Sequence, residues 1–154
     1  MQPTAPILVL TWGNPSRGDD ALGPVIFERL EQQELPGVEV ITDFQLQIEH
    51  SMDIANRSKV IFVDAGLSTT EPYELSRIYP EKDDSFTSHA MSPQSLLSIY
   101  QQVNDSVLPT SFLLAIRGYN FRLGEEISSK AQKNLEIAYT ELLQLITISN
   151  ENPE

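Results

Sequence analysis

The chain contains no cysteine. That absence excludes a disulfide scaffold, any structural zinc site built on thiolates, and a cysteine nucleophile. Long hydrophobic runs are also missing. The longest cover residues 7–10, 60–63 and 112–116, far short of the ~20 residues a membrane-spanning helix needs. The segment Met1-Gln2-Pro3-Thr4-Ala5-Pro6 lacks the basic region of a signal peptide. A soluble, cytoplasmic chain without a membrane partner is the expectation. Basic residues are scarce: 10 Lys and Arg stand against 22 Asp and Glu, for a formal charge of −12. Twelve of the acids occur up to Tyr79 and ten after it, so no acidic tail accounts for the excess. Nucleic acid is thereby disfavoured as a partner, because affinity for it comes mainly from Lys and Arg neutralising phosphates. The balance suits a cationic partner or metal ions held by oxygen ligands, and it also serves plain solubility.

What is present reads as one domain over residues 1–154, with no internal repeat or low-complexity stretch. Ile7-Leu8-Val9-Leu10 is continuously apolar and ends in Gly13-Asn14-Pro15, a buried strand followed by a loop. Ala21, Leu22, Val25, Ile26 and Leu30 recur at helical spacing, and Pro24 predicts a helix start with Gly23 as N-cap. A second strand over residues 38–41 and a weaker helix over 46–54 follow. Residues 59–63 form a third strand, and residues 73–79 alternate as an antiparallel edge strand. Ser92-Pro93 opens a helix, with Ser as N-cap. Residues 112–116 form a fifth strand, and Ile127 through Leu145 mark a C-terminal helix. This alternation predicts an α/β fold: a three-layer α/β/α sandwich on a mainly parallel five-stranded sheet with one antiparallel edge strand.

Polar residues collect after the apolar strands. The first is followed by Trp12-Gly13-Asn14-Pro15-Ser16-Arg17-Gly18-Asp19-Asp20, the second by Thr42-Asp43, the third by Asp64-Ala65-Gly66 and the fifth by Arg117-Gly118-Tyr119-Asn120. Ligands of open α/β sheets bind outside the carboxyl ends of the strands, so these segments have a physical reason to converge. Asp64, directly after four buried residues, must be hydrogen-bonded or bind a cation; capping of the next loop's amides is the plainer alternative. Asp19 and Asp20 lie between Gly18 and Gly23, where they either meet a ligand or complement a helix dipole. His89, on a predicted loop, would complete an O,O,N donor set suited to nickel or zinc, or is simply an inert surface residue. His50 reads as a solvated helix residue. There is no His-Glu-x-x-His helix, and the 13–18 loop lacks the endings of a P-loop or dinucleotide site. A receiver domain fits poorly, because nine residues separate Leu10 from Asp20 and Arg117 stands where that fold needs a lysine.

The order and spacing of Gly13-Asn14, Asp20, Gly23, Val60-Ile61-Phe62-Val63-Asp64-Ala65, Ser88-His89, Arg117-Gly118 and Gly124-Glu125-Glu126-Ile127-Ser128 resemble the hydrogenase maturation endopeptidases over most of the chain. The resemblance implies a protease that removes the C-terminal extension of a nickel-iron hydrogenase large-subunit precursor once nickel is inserted. Its metal-binding and catalytic positions fall on Asp20, Asp64 and His89. Nickel would arrive with the substrate, and no tightly bound cofactor is expected. Asn14, Asp43 and Gln45 are the implied substrate contacts, and a monomer is expected. Two departures stand out: Asp20 replaces the Glu of many members, and Asp43-Phe44-Gln45-Leu46 replaces their Asp-Gly-x-Thr segment. The Gln-Leu form is similar to the subgroup serving bidirectional, NAD(P)-linked hydrogenases. Two readings from other classes are a nickel-dependent docking protein or chaperone of the same fold, and a small-molecule or phosphate-binding module using the 13–18 loop.

Overall fold

A computed structural model describes residues 4–82, 91–105 and 107–148. Five strands, β1 (Ile7–Trp12), β2 (Val38–Asp43), β3 (Lys59–Gly66), β4 (Tyr73–Ile78) and β5 (Thr110–Arg117), form one sheet in the order β2-β1-β3-β5-β4. The first three and β5 run parallel, while β4 pairs antiparallel with β5 at the edge. Three helices, α1 (Leu22–Gln33), α2 (Pro93–Val103) and α3 (Ser129–Thr147), cover both faces.

Period-2 alternation sorts the strand residues between two cores. Val9, Ile61, Val63, Leu114 and Ile116 pack against Leu22, Ile26 and Leu30 of α1 and Leu135, Ala138 and Leu142 of α3. Leu8, Leu10, Trp12, Val60 and Phe62 pack against Leu96, Leu97 and Tyr100 of α2. The central strands are therefore apolar on both faces, as parallel strands covered by helices on each side must be. Three layers result. No helix of the described residues is long and apolar enough to cross a membrane.

The helix starts differ from expectation in one place. Ser92 does cap α2, its hydroxyl accepting from the Ser95 N–H at 3.0 Å. But α1 begins at Leu22 rather than Pro24, because the 3-10 turn Gly18–Ala21 runs directly into it. Pro24 is then the third helical residue, where a missing N–H still costs no intrahelical bond. Gly23 is not a cap. The segment expected as a weak helix over 46–54 is the 3-10 helix Ile48–Asp53, and Ile127 precedes α3.

Candidate functional site

The register explains why the candidate carboxylates meet. Trp12 pairs with Asp43, and Thr11 pairs with Val63, so the next step brings Trp12 level with Asp64. Asp43, Trp12 and Asp64 thus form a row across β2, β1 and β3 at their carboxyl ends. Alternation along each strand sets all three on the α2 face, where Ile41, Leu10 and Phe62 also point.

Asp64 is partly buried. Its Oδ1 accepts the Ala65 N–H at 2.8 Å, and the Trp12 indole N–H donates to the same carboxyl. Burial pushes its pKa up to about 7, the negative charge of Asp20 adds to the rise, and the two donors only partly offset it. Asp20 comes from the 3-10 turn before α1, and its Oδ2 accepts the Asn14 N–H at 2.7 Å. Asn14 in turn folds the loop, its Oδ1 accepting the Ser16 N–H at 2.8 Å. The loop returns so tightly that a side chain at Gly13 (φ 145°) would collide with the Asp20 carbonyl. Glycine is required there.

Asp19, beside Asp20 in sequence, has a different setting. It is fully buried and accepts from the Tyr119, Asn120 and Ser128 N–H groups at 2.7, 3.1 and 2.7 Å, and from the Ser128 hydroxyl at 2.9 Å. Burial alone would raise its pKa, but those donors outweigh it and hold the carboxyl below the ordinary value. Oδ2 takes three of these donors and Oδ1 one, and through them Asp19 ties the loops after β5 and before α3 to the start of α1.

Asp43 holds its own Oδ1 on the Phe44 N–H at 2.7 Å. His50 corrects the sequence expectation: its ring is buried, not solvated. Nδ1 accepts the Gln47 N–H at 2.9 Å, and Nε2 lies 3.3 Å from Asp43 Oδ2. Gln45 is exposed. His89 lies outside the described residues. Among the described residues no three His, Cys, Asp or Glu side chains group closely enough to hold a metal ion; the negative charge of Asp20 acts on Asp64 there. The roles of Trp12 and His50 had no signal in the sequence: each depends on a neighbour brought close only by strand register or by the turn of a 3-10 helix.

No protein-family model matches the chain, and no curated protein matches its sequence. Solved structures do match. One is the NiFe hydrogenase maturation protease HycI from Thermococcus kodakarensis, 21% identical over 94% of each chain with a TM-score of 0.70. Another is the hydrogenase maturating endopeptidase HybD from E. coli, 23% identical over 91% of each chain with a TM-score of 0.71. A hydrogenase 2 maturation peptidase from a Thaumarchaeota archaeon is 22% identical over 93% of this chain and 99% of that one, with a TM-score of 0.66. The chain has their fold, a mixed five-stranded sheet between helices.

Proposed function

We propose that this protein is an endopeptidase that removes the C-terminal extension of a nickel-iron hydrogenase large-subunit precursor, and that nickel carried by the precursor docks on Asp20, Asp64 and His89. The observation that supports the reading most directly is the acidic pair. Asp64, at the carboxyl edge of the sheet, is buried enough to resist ionising, and the negative charge of Asp20 acts on it. Such a pair is relieved by a proton or by a cation, and the solved structures of the same fold include proteins named as hydrogenase maturation proteases.

With nickel seated there, the scissile carbonyl would be polarised beside the pair. A carboxylate at the site would take a proton from the attacking water, and that proton would leave with the departing amine as the C–N bond breaks. No serine or cysteine nucleophile is required. Asn14 and the segment from Asp43 to Gln45 flank the site and would contact the substrate chain. The Gln45-Leu46 pair supports assignment to the bidirectional, NAD(P)-linked subgroup.

The test is incubation with a nickel-loaded large-subunit precursor, followed by intact mass measurement. Loss of a C-terminal fragment from the precursor is the expected result. A stable complex without mass loss would instead indicate a docking protein, and neither outcome would favour a small-molecule module.

A further inference from the structure

Asp20 has little of its own to hold it in place. Among the described residues its carboxyl accepts from the Asn14 N–H alone, at 2.7 Å. The 3-10 turn that carries it, Gly18–Ala21, has no side-chain cap at its start. What fixes the turn is the residue before. Asp19 is fully buried, and its carboxylate gathers the Tyr119, Asn120 and Ser128 N–H groups and the Ser128 hydroxyl. Its own N–H donates to the Asn120 carbonyl at 2.8 Å, so side chain and backbone are tied to one loop. The root of the side chain is packed as well: a Cβ at Gly118 would come within 2.9 Å of the Asp19 Cβ. Nearby, the Gly18 N–H donates to the Glu125 carbonyl at 3.0 Å, and the Gly124 N–H to the Ser16 carbonyl at 2.7 Å. Residues 118–128 are thus joined at several points to the loop that carries Asn14 and Asp20.

A 3-10 helix has about three residues per turn, so successive side chains leave it about 120° apart. Pinning Asp19 toward residues 118–128 therefore sets the direction in which Asp20 leaves the turn. In that direction the Asp20 carboxylate meets the Asn14 N–H, and its negative charge acts on Asp64. Ser128 extends the linkage to α3: its hydroxyl donates to Asp19 and, as the N-cap of that helix, accepts the Ala131 N–H at 3.3 Å. The same loop also reaches the strand of Asp64, because the Gly118 N–H donates to the Gly66 carbonyl at 3.0 Å. Asp20 and the end of β3 are held against one common brace.

We propose that Asp19 is a positioning residue for Asp20: clamped by the loop after β5 and the N-cap of α3, it sets where the Asp20 carboxylate stands in the site. The assignment rests on the peptidase reading for the role of Asp20, but its first readout needs no cleavage. The Asn14 amide proton is hydrogen-bonded to Asp20, so proton–nitrogen correlation NMR of the full, metal-free chain reports on that carboxylate. Ser128→Ala removes the hydroxyl donor from Asp19 without changing any charge. It should move the Asn14 signal upfield, toward its position in Asp20→Ala. Ser128→Thr keeps the hydroxyl and should restore the signal. The second readout is cleavage of nickel-loaded precursor. Asp19→Asn should lower kcat roughly 10- to 100-fold, the scale of losing a partner that orients a site residue, with KM little changed. Ile26→Val loosens the core under α1 without touching the clamp, and should leave both readouts alone. Should Asp19→Asn fail to fold, the two Ser128 variants carry both readouts. A folded Asp19→Asn with the wild-type kcat, an unmoved Asn14 signal in Ser128→Ala, no rescue by Ser128→Thr, or an equal effect from Ile26→Val would overturn the proposal. A wild-type chain that cleaves no precursor would overturn the peptidase reading, and the Asn14 signal would still decide whether Asp19 places Asp20.

Discussion

Adjacent aspartates in this chain are set to opposite purposes by their surroundings. Asp19 has three backbone N–H donors and a hydroxyl, and stays ionised; Asp20 has one described donor and sits beside Asp64, whose own carboxyl is pushed up to about 7. The sign of the Asp64 effect on stability follows from linkage. Unfolded, the residue ionises near 3.8; folded, near 7. Below the lower value both states are protonated and nothing is gained or lost. Between the two, the unfolded chain sheds a proton that the folded chain keeps, so stability falls as pH rises and stays reduced above 7. That difference corresponds to roughly 4 kcal/mol at most. Asp64→Asn keeps the shape and removes this penalty. Urea denaturation should find the variant about equal to wild type at pH 4 and about 2–4 kcal/mol more stable at pH 8. The same variant should leave the precursor uncleaved. Parallel pH profiles for the two proteins would show that Asp64 ionises normally.

Among the elements, α3 depends on a lysine from β3. Lys59 is buried, and its ammonium donates to the Leu145 and Ile148 carbonyls at 2.6 and 2.7 Å, two of the acceptors a helix end leaves unpaired. Burial pushes its pKa down. Lys59→Met preserves the apolar stem and deletes the cap, which should cost about 1–3 kcal/mol and speed amide exchange in the last turn of α3. Unchanged exchange there would mean the carbonyls find other donors. Strands, helix order and the antiparallel edge were legible in the sequence because apolar runs, Ser92-Pro93 and glycine punctuation are local signals. The start of α1 was not, since a 3-10 turn continued into the helix and made Pro24 an interior residue of its first turn. That Asp20 and Asp64 lie toward the carboxyl ends of the strands was legible from the loop that follows β1 and from the apolar run of β3 that ends at Asp64. The division between Asp19 and Asp20 was not, because only the Tyr119, Asn120 and Ser128 donors, a hundred residues away, distinguish them. His50 was misread for the same reason: its polar neighbours describe a solvated helix, while its contact with Asp43 is tertiary.

On the scale of the whole molecule, the proposed function implies a protein that reads a metal without owning one. The acidic excess is spread over the chain, and the proposed ligands are Asp20, Asp64 and His89. Two oxygens and one imidazole, with no thiolate, would make an open site of modest affinity, because affinity follows ligand number and geometry as much as the ion. Ligands belonging to the precursor would complete the shell, so the coordination free energy would appear only in the ternary state. Under the proposed function discrimination would need no separate sensor, since an apo precursor would offer Asp20, Asp64 and His89 nothing to hold. Protein stripped of metal should bind divalent ions weakly in a calorimetric titration, yet cleave nickel-loaded precursor and spare the apo form. Equal cleavage of both would remove nickel as the recognition element. Hydrolysis would then fall to the carboxylates without help from nickel.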